Sequence, residues 1–286
     1  MNHSDNLSKV SSQVRRDILR MVNAAGSGHP GGSMGIADVM TALFFKVMKH
    51  DPSTWSRNAS GQDAFILSAG HLAPVYYSVL ARSGYFDKSL LGTLRQYGSM
   101  LQGHPSVGIP GVFQASGSLG QGLSAAAGIA LGKKMSGDGN KVYVLCGDGE
   151  TEEGQIWEAA IWAAHHHIDN LIAFTDWNGK QIDGPVDEVA GLGNLRQQWE
   201  AFGWETTVAD GHDFDSILNA FATADNADGR PKMILFRTEM GHGVDFMAGT
   251  HKWHGKAPDA DQLKAALEQI PETLGDYDKP TSSELI

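Results

Sequence analysis

Apolar residues along the chain follow two rhythms, a helical spacing and short unbroken runs. Leu7, Val10, Val14, Ile18 and Met21 share one helical face, which predicts an opening helix that ends near Ala24. Residues 36–48, 74–82 and 86–97 also read as helices, and 123–135 as a small-residue helix able to pack close to a sheet. Short apolar runs closed by turn residues predict strands at 63–67, 142–146, 171–175, 204–208 and 232–238. Between the second and third of these, 153–166 is helical, with Ile156, Ala160 and Ala163 or Ala164 on one face. Helices at 195–202, 214–224 and 260–269 complete the pattern, and 26–32, 98–118 and 241–258 read as loops. Loops as long as 98–118 in a compact domain are usually functional. A strand–helix–strand unit of this length is a right-handed crossover, so its strands are parallel. The pattern predicts an α/β fold: one parallel sheet with helices on both faces, in one domain over 1–270. Residues 271–286 are polar and broken by proline, and are expected to be extended or disordered in isolation. There is no internal repeat.

Composition narrows this picture. The 286 residues, 41% of them hydrophobic, suffice for one large core. The 35 glycines suit many tight strand-to-helix turns. A net charge of −11 argues against a nucleic-acid or anionic-membrane surface, so an anionic substrate would need a locally basic site. The single cysteine, Cys146, excludes an intramolecular disulfide and agrees with a reducing cytoplasm, the expected location. No apolar stretch is long enough to span a bilayer, and the first ten residues lack the apolar core of a signal peptide.

The chemistry concentrates after the second strand. Cys146-Gly147-Asp148-Gly149 ends that strand, and Asn178 follows the next one, 30 residues after Asp148. Both therefore fall at the carboxyl edge of the sheet, where α/β proteins bind ligands. A charged oxygen, an amide oxygen and the irregular backbone after Asn178 suit a hard cation holding a diphosphate. Gly147 and Gly149 let the backbone approach phosphates, and a following helix N-terminus favours negative charge. Taken alone, the same residues also fit a tight turn and an ordinary loop. Four histidines, His29, His71, His104 and His254, lie in loops beside glycine or proline. Each could donate hydrogen bonds or shuttle protons to a close-lying substrate, or be a plain loop histidine. The run His165-His166-His167 invites a zinc reading, but successive helical residues point in different directions, so it reads as a solvated helix end.

In order, the blocks Ser27-Gly-His-Pro-Gly-Gly32, Ala69-Gly-His-Leu-Ala-Pro74, Gln102-Gly-His-Pro105, Ser116-Gly-Ser-Leu-Gly-Gln-Gly-Leu-Ser124 and Lys252-Trp-His-Gly-Lys-Ala-Pro258 accompany the Gly-Asp-Gly and Asn178 pair. Together they resemble the transketolase family, over about residues 10–258. The resemblance implies a thiamine-diphosphate-binding fold of the diphosphate-binding type, with Mg²⁺ as the metal and Ca²⁺ or Mn²⁺ as substitutes. It implies metal ligands Asp148, Asn178 and the main-chain carbonyl of Lys180, and cofactor contacts from His71, Gly117, Leu119, Gly149, Glu153, Asn178, Ile182 and His254. Catalytic roles fall to His29 and His104, at the reactive end and the sugar hydroxyls, and to His254 on the proton path. Leu119 and Gly117 would support the bent cofactor, and Glu153 would face a partner's activating acid. Lys180, Leu72 and Trp177 depart from common family forms; only the main-chain carbonyl of Lys180 would be needed, so its ligand role stands.

The family's activating glutamate and a further domain are expected on a second chain. The resemblance therefore implies the N-terminal subunit of a split transketolase, paired with a C-terminal subunit carrying the pyrimidine-binding and C-terminal domains. The expected assembly is two of each chain. The reaction implied is two-carbon ketol transfer from a ketose phosphate to an aldose phosphate. Alternatives are a split ketolase acting on apulose 4-phosphate or a sulfosugar, a deoxyxylulose-phosphate synthase, and a silent assembly module; the intact ligands and histidines weigh against the last.

Overall fold

The computed structural model describes residues 3–57 and 60–278. In chain order the helices are α1 (His3–Ala25), α2 (Pro30–Gly35), α3 (Ala37–Ala42), α4 (Ala73–Ser83), α5 (Gln121–Met135), α6 (Gly154–His165), α7 (Val186–Val189), α8 (Leu195–Ala201), α9 (Phe214–Ala224) and α10 (Ala260–Gln269). The strands are β1 (Ala64–Leu67), β2 (Val142–Gly147), β3 (Leu171–Trp177), β4 (Lys180–Gln181), β5 (Gly184–Pro185), β6 (Glu205–Asp210) and β7 (Lys232–Arg237). Five of them form one sheet in the order β1-β2-β3-β7-β6, and every pair is parallel. β4 and β5 make a separate antiparallel hairpin. No described helix is long and apolar enough to cross a membrane.

The sheet is buried on both faces, which explains why its strands are apolar without a break. Side chains alternate across it. Tyr143 and Leu145 of β2, Ile172 and Phe174 of β3, and Ile234 and Phe236 of β7 enter one core with α1, α3, α4 and α9. Val144 and Cys146, Leu171 and Ala173, and Met233 and Leu235 enter the other, against α5, α6 and α8. On α1 the predicted face is buried, with Val14, Ile18 and Met21 fully covered. Ion pairs fix α1 to its neighbours: Arg82 to Asp17 at 2.5 Å, and Arg15 to Asp38 at 2.7 Å. Asp213 caps α9, and Asp259 forms a capping box with Gln262 on α10.

Four departures from the sequence pattern have physical causes. The predicted loop at 26–32 contains α2, although glycine disfavours helix. Its glycines are there for close approach: a Cβ on Gly31 would lie 2.7 Å from Met240 Cγ and 2.8 Å from the Trp253 carbonyl, and one on Gly35 2.8 Å from the Glu239 carbonyl. The predicted 36–48 helix stops at Ala42 and widens into a π-turn over Leu43–Val47. There the His50 ring takes the Phe44 carbonyl at 2.7 Å, while Met48 N–H reaches back to Leu43. The predicted 86–97 helix shrinks to a 3₁₀ turn at Lys88–Thr93, because Arg95 turns left-handed (φ +60°) and donates its N–H to Leu101. The β4–β5 hairpin has no counterpart in the apolar pattern, being too short to show a period; its Asp183-Gly184 step is the one sequence signal for it.

Residues 271–278 carry no helix or strand, yet they are held to α1. Arg16 pairs with Asp276 at 2.8 Å, Gln13 donates to Asp276, and Tyr277 is buried in the first core under the Arg20 guanidinium. The remainder of the expected tail lies outside the described residues.

Two glycine substitutions should have opposite effects on stability. Gly31→Ala overpacks a backbone contact and should cost about 1–3 kcal/mol. A Cβ on Gly128, exposed on α5, meets nothing within 4 Å, so Gly128→Ala should stabilise by roughly 0.5–1 kcal/mol. Urea melts of both variants check this; equal shifts would refute the close-approach account of α2.

Candidate active site

Parallel strands finish level at the carboxyl edge. The register sets Gly147 beside Asp176 and Trp177 beside Arg237. The loops beyond β1, β2, β3 and β7 thus converge, and with the loops before α2 and α5 they bound a cavity of ≈250 Å³. His29, His71, His104, Gly117, Leu119, Asp148, Gly149, Asn178, Lys180, Ile182 and His254 all line it. Of the residues expected from sequence, only Glu153 stands outside, exposed just before α6; a Cβ on Gly120 would lie 3.1 Å from it. Asp148 and Asp176 form a buried floor, while His104, Gly117 and Ile182 are exposed at the rim. A more open cleft of ≈690 Å³ runs along α5 near Arg57, but its Lys133 and Asp138 neutralise each other at 2.8 Å and no acid–histidine group faces it.

The floor is acidic. Asp148 accepts the N–H of Gly149 at 2.8 Å and of Gly179 at 2.5 Å. Asp176 accepts from the Asn178 amide at 2.9 Å and from the Thr238 hydroxyl. Burial, and then the neighbouring Asp176, pushes Asp148 up to about 7, and burial pushes Asp176 up to about 6. Two adjoining buried carboxyls repel each other, and a divalent cation is what would relieve them. The donor set suits a hard cation: a carboxylate at Asp148, an amide oxygen at Asn178 and the Lys180 carbonyl nearby. Asn178 Oδ1 accepts the Lys180 N–H at 2.8 Å, and a carbonyl oxygen keeps a second lone pair for a metal. Gly147 and Gly149 line the cavity, and their N–H groups are engaged by Glu150 and by Asp148.

Above the floor the histidines cluster. Ring centroids lie 5.2 Å apart for His29 and His71, 5.6 Å for His29 and His254, and 5.1 Å for His71 and His254. His104 stands across from Gly117. Burial is the main cause that lowers His29 to about 4, His71 to about 3, and also His254; at the rim, partial desolvation and then the Arg95 charge lower His104. The cluster is therefore neutral near pH 7: it offers N–H donors and ring-nitrogen acceptors rather than positive charge. Nδ1 of His29 and of His254 are buried without a partner, as is the Ser116 hydroxyl. Such groups are rarely left unpaired, and the two histidines line the cavity, so their free nitrogens fit a polar ligand there.

Sequence reasoning missed Glu150, Asp176 and Met240, which also line the cavity. Asp176 lies two residues before Asn178 and could have been found from it; Glu150 sits in an acidic run that looks solvated. Away from the cavity, Asp38, His212 and His242 bring possible ligand atoms within 4.8 Å. They are already satisfied: Arg15 grips Asp38, and His212 uses one nitrogen on Asp38 and the other on the Glu239 N–H. His212 therefore helps seat the segment that carries Met240 into the cavity.

Comparison with known proteins agrees with this geometry. The family model described as "Transketolase, thiamine diphosphate binding domain" matches residues 7–273. A 6-deoxy-6-sulfo-D-fructose transketolase subunit, SqwG of Clostridium sp., is 41% identical over 267 residues, 92% of this chain and 96% of that one. An apulose-4-phosphate transketolase subunit of Phocaeicola vulgatus is 35% identical, covering 96% of this chain and 97% of that one. The crystal structure of Campylobacter jejuni transketolase superposes with a TM-score of 0.89 at 32% identity, over 100% of this chain but 46% of that one. The chain thus spans nearly all of the two subunits and less than half of the Campylobacter chain. Family match, parallel fold and converging acid–histidine cavity together place the chain in the transketolase family, as its thiamine-diphosphate-binding domain.

Proposed function

We propose that this chain is the diphosphate- and metal-binding half of a two-chain transketolase, transferring a two-carbon ketol unit from a ketose phosphate to an aldose phosphate. The observation that carries this reading is the meeting of Asp148, Asn178, Lys180 and four histidines on one cavity. When bound, thiamine diphosphate supplies the carbon centre that holds the transferred unit. This chain's residues would hold it and manage protons. Asp148, Asn178 and the Lys180 carbonyl take Mg²⁺, which offsets the diphosphate charge that neutral histidines cannot. His71 and His254 donate to the diphosphate. His29 and His104 face the reactive end, where the unpaired Nδ1 of His29 can accept or return a proton.

The exposed rim of His104, Gly117, Ile182 and Glu153 is the natural seat for the C-terminal partner subunit, which brings the acid for the cofactor's pyrimidine. Two of each chain would then build two sites. The names of the Clostridium and Phocaeicola relatives favour a second reading of the donor, a sulfosugar or apulose 4-phosphate. All these donors are anionic ketoses, so the chemistry at this half of the site is shared.

The purified chain should show no ketol transfer, and activity should appear when the partner is added. A panel of ketose phosphates, 6-deoxy-6-sulfo-D-fructose and apulose 4-phosphate then ranks the donors. Turnover by the rigorously purified single chain would sink the two-chain reading.

Asp148→Ala and Asn178→Ala should each weaken Mg²⁺-dependent thiamine diphosphate binding by more than the roughly 10–100-fold typical of losing a group that only orients a metal ligand. Calorimetry on the complex measures this, and unchanged affinity in either variant contradicts the metal site.

The histidines should divide by role. His71→Ala and His254→Ala should raise the cofactor dissociation constant by about tenfold, one hydrogen bond to a charged group. His104→Ala should mainly lower donor turnover. Lost cofactor affinity with normal turnover in His104→Ala would overturn the assignment.

A further inference from the structure

Glu150 is 2% exposed and faces the cavity. It has no ion-pair partner among the described residues and is held by hydrogen bonds alone. Its Oε1 accepts the Gly120 N–H at 2.8 Å and the Ser68 hydroxyl, and its Oε2 accepts the Gly147 N–H at 2.9 Å. Ser68 Oγ in turn accepts the Gly122 N–H at 3.1 Å. We propose that Glu150 is a positioning residue, a clip that joins three walls of the cofactor cleft into one preassembled surface; this rests on the thiamine diphosphate reading above.

Each donor belongs to a different wall. Ser68 leads from β1 into Gly70-His71. Gly120 closes the Gly117–Leu119 loop at the start of α5. Gly147 leads from β2 into Asp148. The walls meet with little side-chain slack: Gly120 is left-handed (φ +82°), and a Cβ on Gly122 would lie 2.5 Å from Ser68 Cα. Through the Gly120 N–H and the Ser68 relay from Gly122, the carboxylate also caps the amino end of α5, where negative charge is favoured. These amides are therefore committed to holding the walls, which leaves the cofactor's charge to the metal and histidines.

A carboxylate is the group this geometry requires. Both oxygens must accept, and a carboxylate has only acceptors. Glu150→Gln keeps the shape but turns an N–H toward a donor whichever way the amide lies. Glu150→Asp is one methylene short of spanning all three walls.

The test uses the complex with its partner chain, in wild-type, Glu150→Gln, Glu150→Asp and Ser68→Ala forms. Calorimetry with Mg²⁺ and thiamine diphosphate, kcat at saturating cofactor, thermal melts and hydrogen exchange over 117–122 and 145–149 are measured. In Glu150→Gln the cofactor dissociation constant should rise at least about tenfold, by a larger factor than kcat falls, and both segments should exchange faster. Glu150→Asp should not rescue, and Ser68→Ala should shift the same readouts less. If Glu150→Gln does not fold, Ser68→Ala decides by the same readouts. A lower melting temperature with unchanged affinity and exchange would make Glu150 a mere buttress and overturn the proposal, as would a loss confined to kcat. A wild-type complex that fails to bind thiamine diphosphate, while Glu150→Gln still loosens both segments, would sink the cofactor reading and leave the clip standing.

Discussion

Everything at the carboxyl edge of this sheet depends on three acids buried there with no arginine or lysine paired to them among the described residues. Asp148, Glu150 and Asp176 lie within 29 residues of sequence and are 2–5% exposed. A buried charge is tolerable only when hydrogen bonds or a counter-ion compensate it. The protein divides that task. Glu150 is satisfied by main-chain amides and a hydroxyl, so it orders the backbone. Burial pushes Asp148 and Asp176 up, so theirs is the charge a cation beside Asp148 would offset.

The histidines follow from the same economy of charge. Their rings are packed against one another above the floor, and burial keeps them neutral. A cluster of that kind can grip an anion through directed N–H groups without repelling a metal below it. An arginine-lined cleft would bind diphosphate more strongly but would compete with the cation for it.

Much of this is legible in the sequence because it rests on period and punctuation. The strands show as apolar runs ending in glycine, and the spacing from Asp148 to Asn178 places both at one edge. What the sequence hides depends on partners distant in the chain. α2 carries glycines because Met240 and Trp253 leave room at Gly31 for nothing larger, a fact about residues at the far end of the chain. The break after Ala42 depends on a histidine side chain competing for one carbonyl. Glu150 is one of three acids in the run Glu150-Thr-Glu-Glu153, too short a run for a period to separate them; only the fold shows which one turns inward.

The alternation of side chains across the sheet has a further consequence. His29 and His71 hang from elements rooted in one core, whereas the Gly117–Leu119 loop and the start of α6 are rooted in the other. The two cores do not touch; the sheet separates them. The cleft is therefore a seam between two packed layers, and its width is set by how each layer sits on the strands and by the Glu150 contacts that join them. A cavity opened beneath Phe174 would tilt the histidine side, and one opened beneath Ala160 the opposite side, with neither residue near the chemistry. Mutations deep in either layer would then act on the reaction as misalignments of two plates, a mechanical coupling that no list of contacting residues would reveal.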